Sequence, residues 1–293
     1  MTPRTIVLPV SDGLRLATYR WVPDGAPRGI VQISHGLGEH LRRYGPLAEE
    51  LTAHGFVVQG HDHRGHGASL AEDGVLGEIG AAGWAELVAD LGRVMDDARA
   101  EYPDLPVVLV GHSMGSYAVQ QYLLDASDQV QAAVLSGTAL LDLTEPFVDL
   151  DGPPSLASLN APFEPARTEA DWLSRDEAQV DAYLADPLCG FAFDTDATRA
   201  MFVGARALAD PARLGRMRPD LPMYIVAGEA DPVHGQLALV HALVERYRGA
   251  GLEDITLRVY PGARHEVFNE TNRDEVVADL IAWLDRVVPA TGH

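Results

Sequence analysis

Val107-Val108-Leu109-Val110-Gly111-His112-Ser113-Met114-Gly115 is the stretch that decides the fold of this chain. Its four apolar residues predict a buried strand, and a helical pattern follows the second glycine. The Gly-x-Ser-x-Gly match would present Ser113 as a nucleophile at a sharp turn from strand to helix. The pentapeptide alone is weak evidence, so its surroundings have to support it.

Ser113 has an alternative interpretation as an N-cap serine at the start of the next helix. An ordinary N-cap does not require glycine on both sides. A tight elbow does, because side chains at positions 111 and 115 would collide with neighbouring backbone. The two glycines therefore favour the elbow.

Eight short apolar runs predict strands, and helical patterns alternate with most of them. This alternation indicates an α/β fold with a mostly parallel eight-stranded sheet flanked by helices. The first two strands, joined across Ser11-Asp12-Gly13, predict a hairpin at one edge. The predicted strands are Thr5 to Val10, Leu14 to Trp21, Ile30 to Ser34, Phe56 to Gln59, Val107 to Val110, Val130 to Leu135, Met223 to Ala227 and Ile255 to Val259.

Apolar residues at helical spacing predict packing helices from Trp84 to Ala98 and from Val276 to Val288. Asn272 and Glu275 are expected to form a capping box at the start of the second.

The alternation stops between residues 141 and 220, where two helices are predicted near Thr168 to Ala185 and Asp196 to Leu208. We interpret 141–220 as a lid insertion in a core made of residues 1–140 and 221–293, folded over the carboxyl ends of the strands. Its apolar side chains would line a substrate tunnel or pack the lid down, and packing is favoured for any single one: Trp172, Tyr183, Leu184, Phe191, Phe193, Met201 and Phe202.

The composition excludes several function classes. A formal charge of −21 argues against nucleic acid as a partner, because phosphate binding requires clustered cations. All 22 basic residues are arginine, which excludes a P-loop lysine, Schiff-base chemistry and a pyridoxal phosphate anchor.

Cys189 is the only cysteine, so internal disulfides and thiolate zinc clusters are excluded, and a small buried apolar residue is expected there. No apolar stretch approaches the roughly 20 residues that span a bilayer, and the first residues predict a strand instead of a signal peptide. We therefore expect a cytoplasmic protein. The sequence carries no signal for the oligomeric state.

A serine hydroxyl needs a base of near-neutral pKa, and that base needs an acceptor that fixes its tautomer. Four histidines follow Asp231 in the chain. His234 and His241 are too close to it in sequence, and His293 is the terminal residue, which leaves His265 after the last predicted strand.

Two carboxylates follow the seventh predicted strand, and both stay candidates for the acid. Asp231 is preferred because it lies farther past the strand end, whereas Glu229 is more easily interpreted as a solvated carboxylate. The oxyanion would need two N–H donors, which we expect from Met114, directly after the serine, and from Leu37 in the glycine-bearing loop His35 to His40.

His61, His63 and His66 offer a zinc-binding alternative that resembles the His-x-His-x-Asp-His pattern of metallo-β-lactamases. The acidic residue before the third histidine is missing. A hydrogen-bonded turn is therefore the favoured interpretation, and no metal is expected.

Together these motifs resemble the monoacylglycerol lipase and bacterial lysophospholipase-like branch of the α/β-hydrolases. The resemblance implies Ser113, Asp231 and His265 as a catalytic triad, Leu37 and Met114 as oxyanion donors, a lid over an acyl-binding tunnel, and no cofactor. It is carried by His35 to His40 with Arg43-Tyr44, Asp62 to Gly67, Gly111 to Gly115, Asp231-Pro232 and Arg264 to Glu270.

The resemblance also implies a polar head-group pocket, in which Glu39 and Arg43 match members of the family. Animal monoacylglycerol lipases carry a second histidine three residues after the catalytic one, where this chain has Phe268. Ser116 replaces a glycine that many relatives have. Glycerol specificity therefore does not follow from the resemblance.

The leading hypothesis is a cofactor-free serine hydrolase that cleaves carboxylic esters with a single acyl chain through an acyl-Ser113 intermediate. Monoacylglycerol or lysophospholipid is the expected small-molecule substrate class, with transient membrane contact through the lid. An aminopeptidase, a thioesterase, a perhydrolase and a non-catalytic ligand-binding protein on the same fold are the alternatives. Proline iminopeptidases usually show His-Gly-Gly-Pro-Gly where this chain has His-Gly-Leu-Gly-Glu, which counts against the first.

Overall fold

The computed structural model describes residues 1–80, 83–152 and 156–290. Strands and helices alternate along most of it, as the hydrophobic pattern predicts. The strands are β1 (Arg4–Pro9), β2 (Arg15–Trp21), β3 (Gly29–Ser34), β4 (Phe56–His61), β5 (Val107–His112), β6 (Ala132–Ser136), β7 (Met223–Gly228) and β8 (Ile255–Tyr260). The α-helices are α1 (Gly45–Ala53), α2 (Gly83–Glu101), α3 (Met114–Ala126), α4 (Leu141–Thr144), α5 (Glu177–Ala185), α6 (Thr195–Ala205), α7 (Pro211–Leu214), α8 (Ala238–Gly249) and α9 (Arg273–Val287).

The strands form one sheet in the order β1-β2-β4-β3-β5-β6-β7-β8. The predicted hairpin of β1 and β2 lies at one edge, and both β1–β2 and β2–β4 pair antiparallel. The remaining pairs are parallel. The carboxyl ends of β3, β5, β6, β7 and β8 therefore meet at one edge of the sheet, where ligands bind in open α/β sheets.

The central strands are buried on both faces, which is why they read as continuous apolar runs. Val108 and Val110 of β5 pack with α1 and α9 on one face. Val107 and Leu109 point to the opposite face and pack with α2, α3 and α8. Helices therefore cover both faces of the central strands.

The predicted helix from Thr168 to Ala185 is wrong in its first half. α5 begins at Glu177, with Asp176 as N-cap accepting a hydrogen bond from the Ala178 N–H at 3.0 Å. The chain before it is irregular because it is held by another loop: the Arg175 N–H donates to Glu270 Oε1 at 3.0 Å.

The predicted capping box at α9 does not form. Asn272 precedes the helix, but its side chain accepts no hydrogen bond from the first turn. Its amide oxygen instead accepts from the Arg175 guanidinium at 3.0 Å, and its amide nitrogen donates to Glu275 at 3.0 Å. The Asn272 oxygen that was expected to cap the helix is therefore used in a contact with Arg175.

Candidate active site

Ser113 lies between the end of β5 and the start of α3 in a strained conformation, with φ 50° and ψ −123°. Non-glycine residues rarely adopt positive φ, and such strain persists only where the surroundings impose it. A Cβ at Gly111 would lie 2.7 Å from the Gly115 carbonyl oxygen, and one at Gly115 would lie 2.1 Å from the Ser34 carbonyl oxygen. The expectation that both glycines are required by the turn is confirmed.

The N-cap alternative for Ser113 is not what the structure shows, because its side chain makes no capping hydrogen bond. Ser116, which replaces a family glycine, is buried and donates its hydroxyl to the Ser113 carbonyl at 2.6 Å. The Ser113 hydroxyl is therefore not used to start the helix, and the residue lines a cavity at the carboxyl edge of the sheet.

Asp231 and His265 meet although 34 positions separate them, with Asp231 Oδ2 2.9 Å from His265 Nδ1. Both side chains are buried. Burial opposes ionisation of Asp231, but His265 lowers the pKa of this carboxyl below its usual value. Burial alone would lower the pKa of His265, and Asp231 raises it above its usual value. The rival acid Glu229 is exposed and accepts the Gly262 N–H at 3.0 Å instead.

The His265 imidazole is held by neighbours that sequence reasoning missed. Its ring centroid lies 4.7 Å from that of His112 and 4.9 Å from that of Trp172. Gly137, at φ +55°, leaves room for this ring, since a Cβ there would lie 2.8 Å from His265 Cε1. No local pattern marks Gly137 or Trp172 as a neighbour of the histidine, because both come from other parts of the chain.

Leu37 and Met114 both line the cavity beside Ser113. Met114 is the first residue of α3, where N–H groups have no partner inside the helix. Among the described residues, neither amide donates a hydrogen bond to another protein group. Leu37 and Met114 therefore each have a backbone N–H without a protein acceptor in the described part of the chain, and both residues line the cavity that Ser113 lines.

Glu39 and Arg43, the predicted head-group residues, are brought together in a buried network. Glu39 Oε2 accepts from Arg43 at 2.6 Å, while Glu39 Oε1 accepts from the Gly36 N–H at 2.6 Å and from the Tyr44 hydroxyl at 2.7 Å. Arg43 also donates to both oxygens of Glu266, at 2.6 and 2.8 Å. Their polar groups are thus largely occupied by one another.

Phe268, which stands where animal relatives carry a second histidine, packs in the core between the sheet and α9. It is buried and is not among the residues that line the cavity, so it offers no polar group to a substrate there.

The cavity has a volume of about 310 Å³, at the lower end of the range of small-molecule sites. Most of its lining is apolar and comes from residues 141–220. Of the seven aromatic and apolar residues singled out from the sequence, Trp172, Tyr183, Met201 and Phe202 line it. Phe191 and Phe193 pack against the His66 ring, and Leu184 is exposed, so these three are packing or surface residues.

Residues 172–175 are tied to the loop that carries His265. The Glu266 N–H donates to the Leu173 carbonyl at 2.8 Å, and the His265 N–H donates to the Trp172 carbonyl at 3.4 Å. Arg175 pairs with the buried carboxylate of Glu270 at 2.9 Å. This part of the segment between β6 and β7 is therefore anchored to the core.

His61, His63 and His66 form a packed cluster with His35. His63 Nε2 lies 3.0 Å from Ser34 Oγ, and the His63 N–H donates to His35 Nε2 at 2.9 Å. Burial lowers the pKa of His61 to about 3 and that of His66 to about 4, so both rings are neutral. These contacts agree with the favoured interpretation of a structural turn.

A different group in the described ranges, His40, Asp186 and Cys189, offers ligand atoms within 4.8 Å of one another. His40 Nε2 already bonds to Asp186 at 2.9 Å. Burial raises the pKa of the Cys189 thiol to about 12, so it keeps its proton and is a poor ligand. We interpret the group as a polar contact between two loops. Cys189 is half-buried against the cluster around Trp172, which agrees in part with the expected buried apolar role.

None of the described helices is long and apolar enough to cross a membrane. His293, set aside as a base in the sequence analysis, lies outside the described residues.

Comparisons with known proteins agree with this geometry. Residues 25–272 match the model of the Hydrolase_4 family, described as serine aminopeptidase, S33. The chain is 33% identical over 277 residues to a monoacylglycerol lipase of Mycolicibacterium smegmatis, covering 93% of each chain. It is 30% identical to the monoglyceride lipase of Mus musculus, covering 96% of this chain and 90% of that one.

Among solved structures, a thermostable carboxyl esterase from Bacillus coagulans in complex with glycerol superposes with a TM-score of 0.86 at 27% identity. The alignment covers 98% of this chain and 99% of the esterase. The predicted α/β-hydrolase fold is thereby confirmed. The chain belongs to the Hydrolase_4 family of α/β-hydrolases and is a carboxylic ester hydrolase.

Proposed function

We propose that the protein hydrolyses esters of a single acyl chain through an acyl-Ser113 intermediate. One observation carries the proposal: Ser113, on its strained elbow, and His265, bonded to Asp231, line the same apolar cavity. A hydroxyl, a base and an acceptor that orients the base are the three groups that nucleophilic catalysis by serine requires.

In the proposed reaction, His265 Nδ1–H donates to Asp231, which leaves Nε2 free to take the proton of Ser113 Oγ. The alkoxide attacks the ester carbonyl, and the oxyanion is bound by the N–H groups of Leu37 and Met114. The imidazolium then protonates the leaving alcohol. A water molecule, activated by the same imidazole, releases the acid and restores Ser113.

Monoacylglycerols are the proposed substrate class, with lysophospholipids as the second member. The apolar lining of the cavity suits one acyl chain, and relatives that cover nearly the whole chain are named monoacylglycerol and monoglyceride lipases. The family description as a serine aminopeptidase makes an aminoacyl anilide the necessary negative control. Because Glu39 and Arg43 are occupied by each other and by Glu266, head-group selectivity is expected to be weak.

Residues 141–220 are proposed to act as a lid that also touches the membrane surface. Leu141, Thr144 and Val148 line the cavity, while Leu143, at 42% exposure, and Phe147, at 88%, face solvent on the same stretch. An exposed apolar group beside a cavity entrance can insert among lipids. The cytoplasmic location expected from the sequence stays a prediction, which fractionation of the source cells would test.

The decisive experiment compares the wild-type protein with Ser113→Ala on monoacylglycerols of graded chain length, lysophosphatidylcholine and an aminoacyl anilide. Loss of the nucleophile should lower kcat on the esters by a factor on the order of 10⁶. Ester hydrolysis that survives in the folded variant would contradict the proposal.

A further inference from the structure

The geometry points to Glu266 as a positioning residue that, through Arg43 and Glu39, couples the loop of the catalytic histidine to the loop of the oxyanion donor. The inference rests on the proposed function. It concerns how two halves of that site, on loops after β8 and β3, are held at a constant separation.

The first link joins the histidine loop to Arg43. Glu266 directly follows His265, and its carboxylate accepts two hydrogen bonds from the Arg43 guanidinium, at 2.6 and 2.8 Å. A bidentate pair of this kind defines both distance and orientation. The two residues are 223 positions apart, so the bond joins distant parts of the chain.

The second link joins Arg43 to the oxyanion loop. Arg43 Nη1, which donates to Glu266 Oε1, also donates to Glu39 Oε2 at 2.6 Å. The other oxygen of Glu39, Oε1, accepts the Gly36 N–H at 2.6 Å. Gly36 immediately precedes Leu37, the proposed donor. A shift of Arg43 would therefore move the backbone on which the Leu37 N–H depends.

Burial makes this bridge rigid. The side chains of Glu39, Arg43 and Glu266 are 4%, 10% and 5% exposed. Arg43 also lies over the ring of Tyr183 in α5, 4.9 Å from its centroid. Buried hydrogen bonds between ions are only weakly screened by solvent, so this bridge constrains the two loops more strongly than an ion pair between exposed side chains would.

Charge gives the bridge a second effect that can be measured. Burial disfavours the charged form of Glu266, but Arg43 lowers the pKa of this carboxyl to about 2, so it is ionised. Its negative charge adds to that of Asp231 in raising the pKa of His265.

The other titratable groups that face His265 are Glu39 and His112. Glu39 raises the pKa of His265 as well, although burial raises its own pKa. His112 is neutral, because burial lowers its pKa to about 3.

The test uses two substitutions that separate geometry from charge, measured by kcat, KM and the pH profile of kcat/KM on a short soluble ester. Glu266→Gln removes the charge and the charged bridge. We expect kcat to fall by up to about 100-fold with little change in KM, because the reacting groups are misplaced. The acidic limb should move to lower pH, since His265 loses a negative neighbour and its pKa falls.

Glu266→Asp keeps the charge but is one methylene too short for both bonds. It should lower kcat and leave the acidic limb near its wild-type position. Glu229→Gln is the matched control, since this exposed carboxylate accepts a backbone N–H on a neighbouring loop, and it should match the wild type in both readouts.

The inference would be overturned if folded Glu266→Gln had wild-type kcat and an unshifted acidic limb in its pH profile, with Ser113→Ala still inactive. If Glu266→Gln does not fold, wild-type kcat in Glu266→Asp would overturn it alone. Activity of Ser113→Ala would instead refute the proposed function, so the two failures are distinguishable.

Discussion

Gly137→Ala should inactivate the enzyme without unfolding it, by pushing the His265 ring out of place. A Cβ at position 137 would lie 2.8 Å from Cε1 of His265 and 2.8 Å from Cε1 of His112. Carbon atoms in contact normally lie about 3.5 to 4.0 Å apart, so the imidazole must retreat by roughly 1 Å. A displacement of that size can lower the rate by about 100-fold.

The substitution also has a backbone cost, which a matched control isolates. Gly137 has φ +55°, and a side chain in this left-handed region costs about 1 to 2 kcal/mol of stability. Gly83 has φ +59°, and a Cβ there would meet nothing within 4 Å. Gly83→Ala should therefore lose similar stability and keep its activity.

The assay is kcat on a soluble p-nitrophenyl ester together with the thermal midpoint of each variant. Gly137→Ala should lose far more kcat than Gly83→Ala at a comparable decrease in midpoint. Wild-type kcat in Gly137→Ala would refute the argument that position 137 must be glycine to leave room for the His265 ring.

Two further predictions address the acid and the lid. Asp231→Asn should lower kcat by about 10⁴-fold, because the amide favours the wrong tautomer of His265. Glu229→Gln should remain active. The reverse result in a steady-state ester assay would assign the role of acid to Glu229. Phe147→Ser should reduce binding to phospholipid vesicles and turnover of aggregated monoacylglycerol, with soluble-ester kinetics unchanged; equal vesicle binding in a sedimentation assay would exclude this side chain from membrane contact.

Much of the fold could be predicted because the pattern of hydrophobic residues is local. Strands buried on both faces read as short apolar runs, and α2 and α9 show their apolar faces at helical spacing. The errors occurred where a distant partner took over a polar group. Arg175 is the example: it occupies the side chains of Asn272 and Glu270, so neither the capping box nor the first half of the Thr168 to Ala185 helix forms.

The placement of Ser113, Asp231 and His265 at one edge of the sheet was also predictable, since each follows a parallel strand and such strands end at that edge. Their supports were not predictable in the same way. Gly137 and Trp172 carry no motif, and only the folded chain brings them against the His265 ring.

The sequence by itself determined the order of most elements and the elbow, and it marked Ser113, His265 and one of two carboxylates as candidate reacting groups, because these follow from periodicity and short motifs along the chain. Only the tertiary structure decided that Arg43 is shared between Glu39 and Glu266 and that Asp231, not Glu229, reaches His265. Those outcomes depend on angles and separations of a few ångströms between loops far apart in sequence. Local propensities carry no information about such distances.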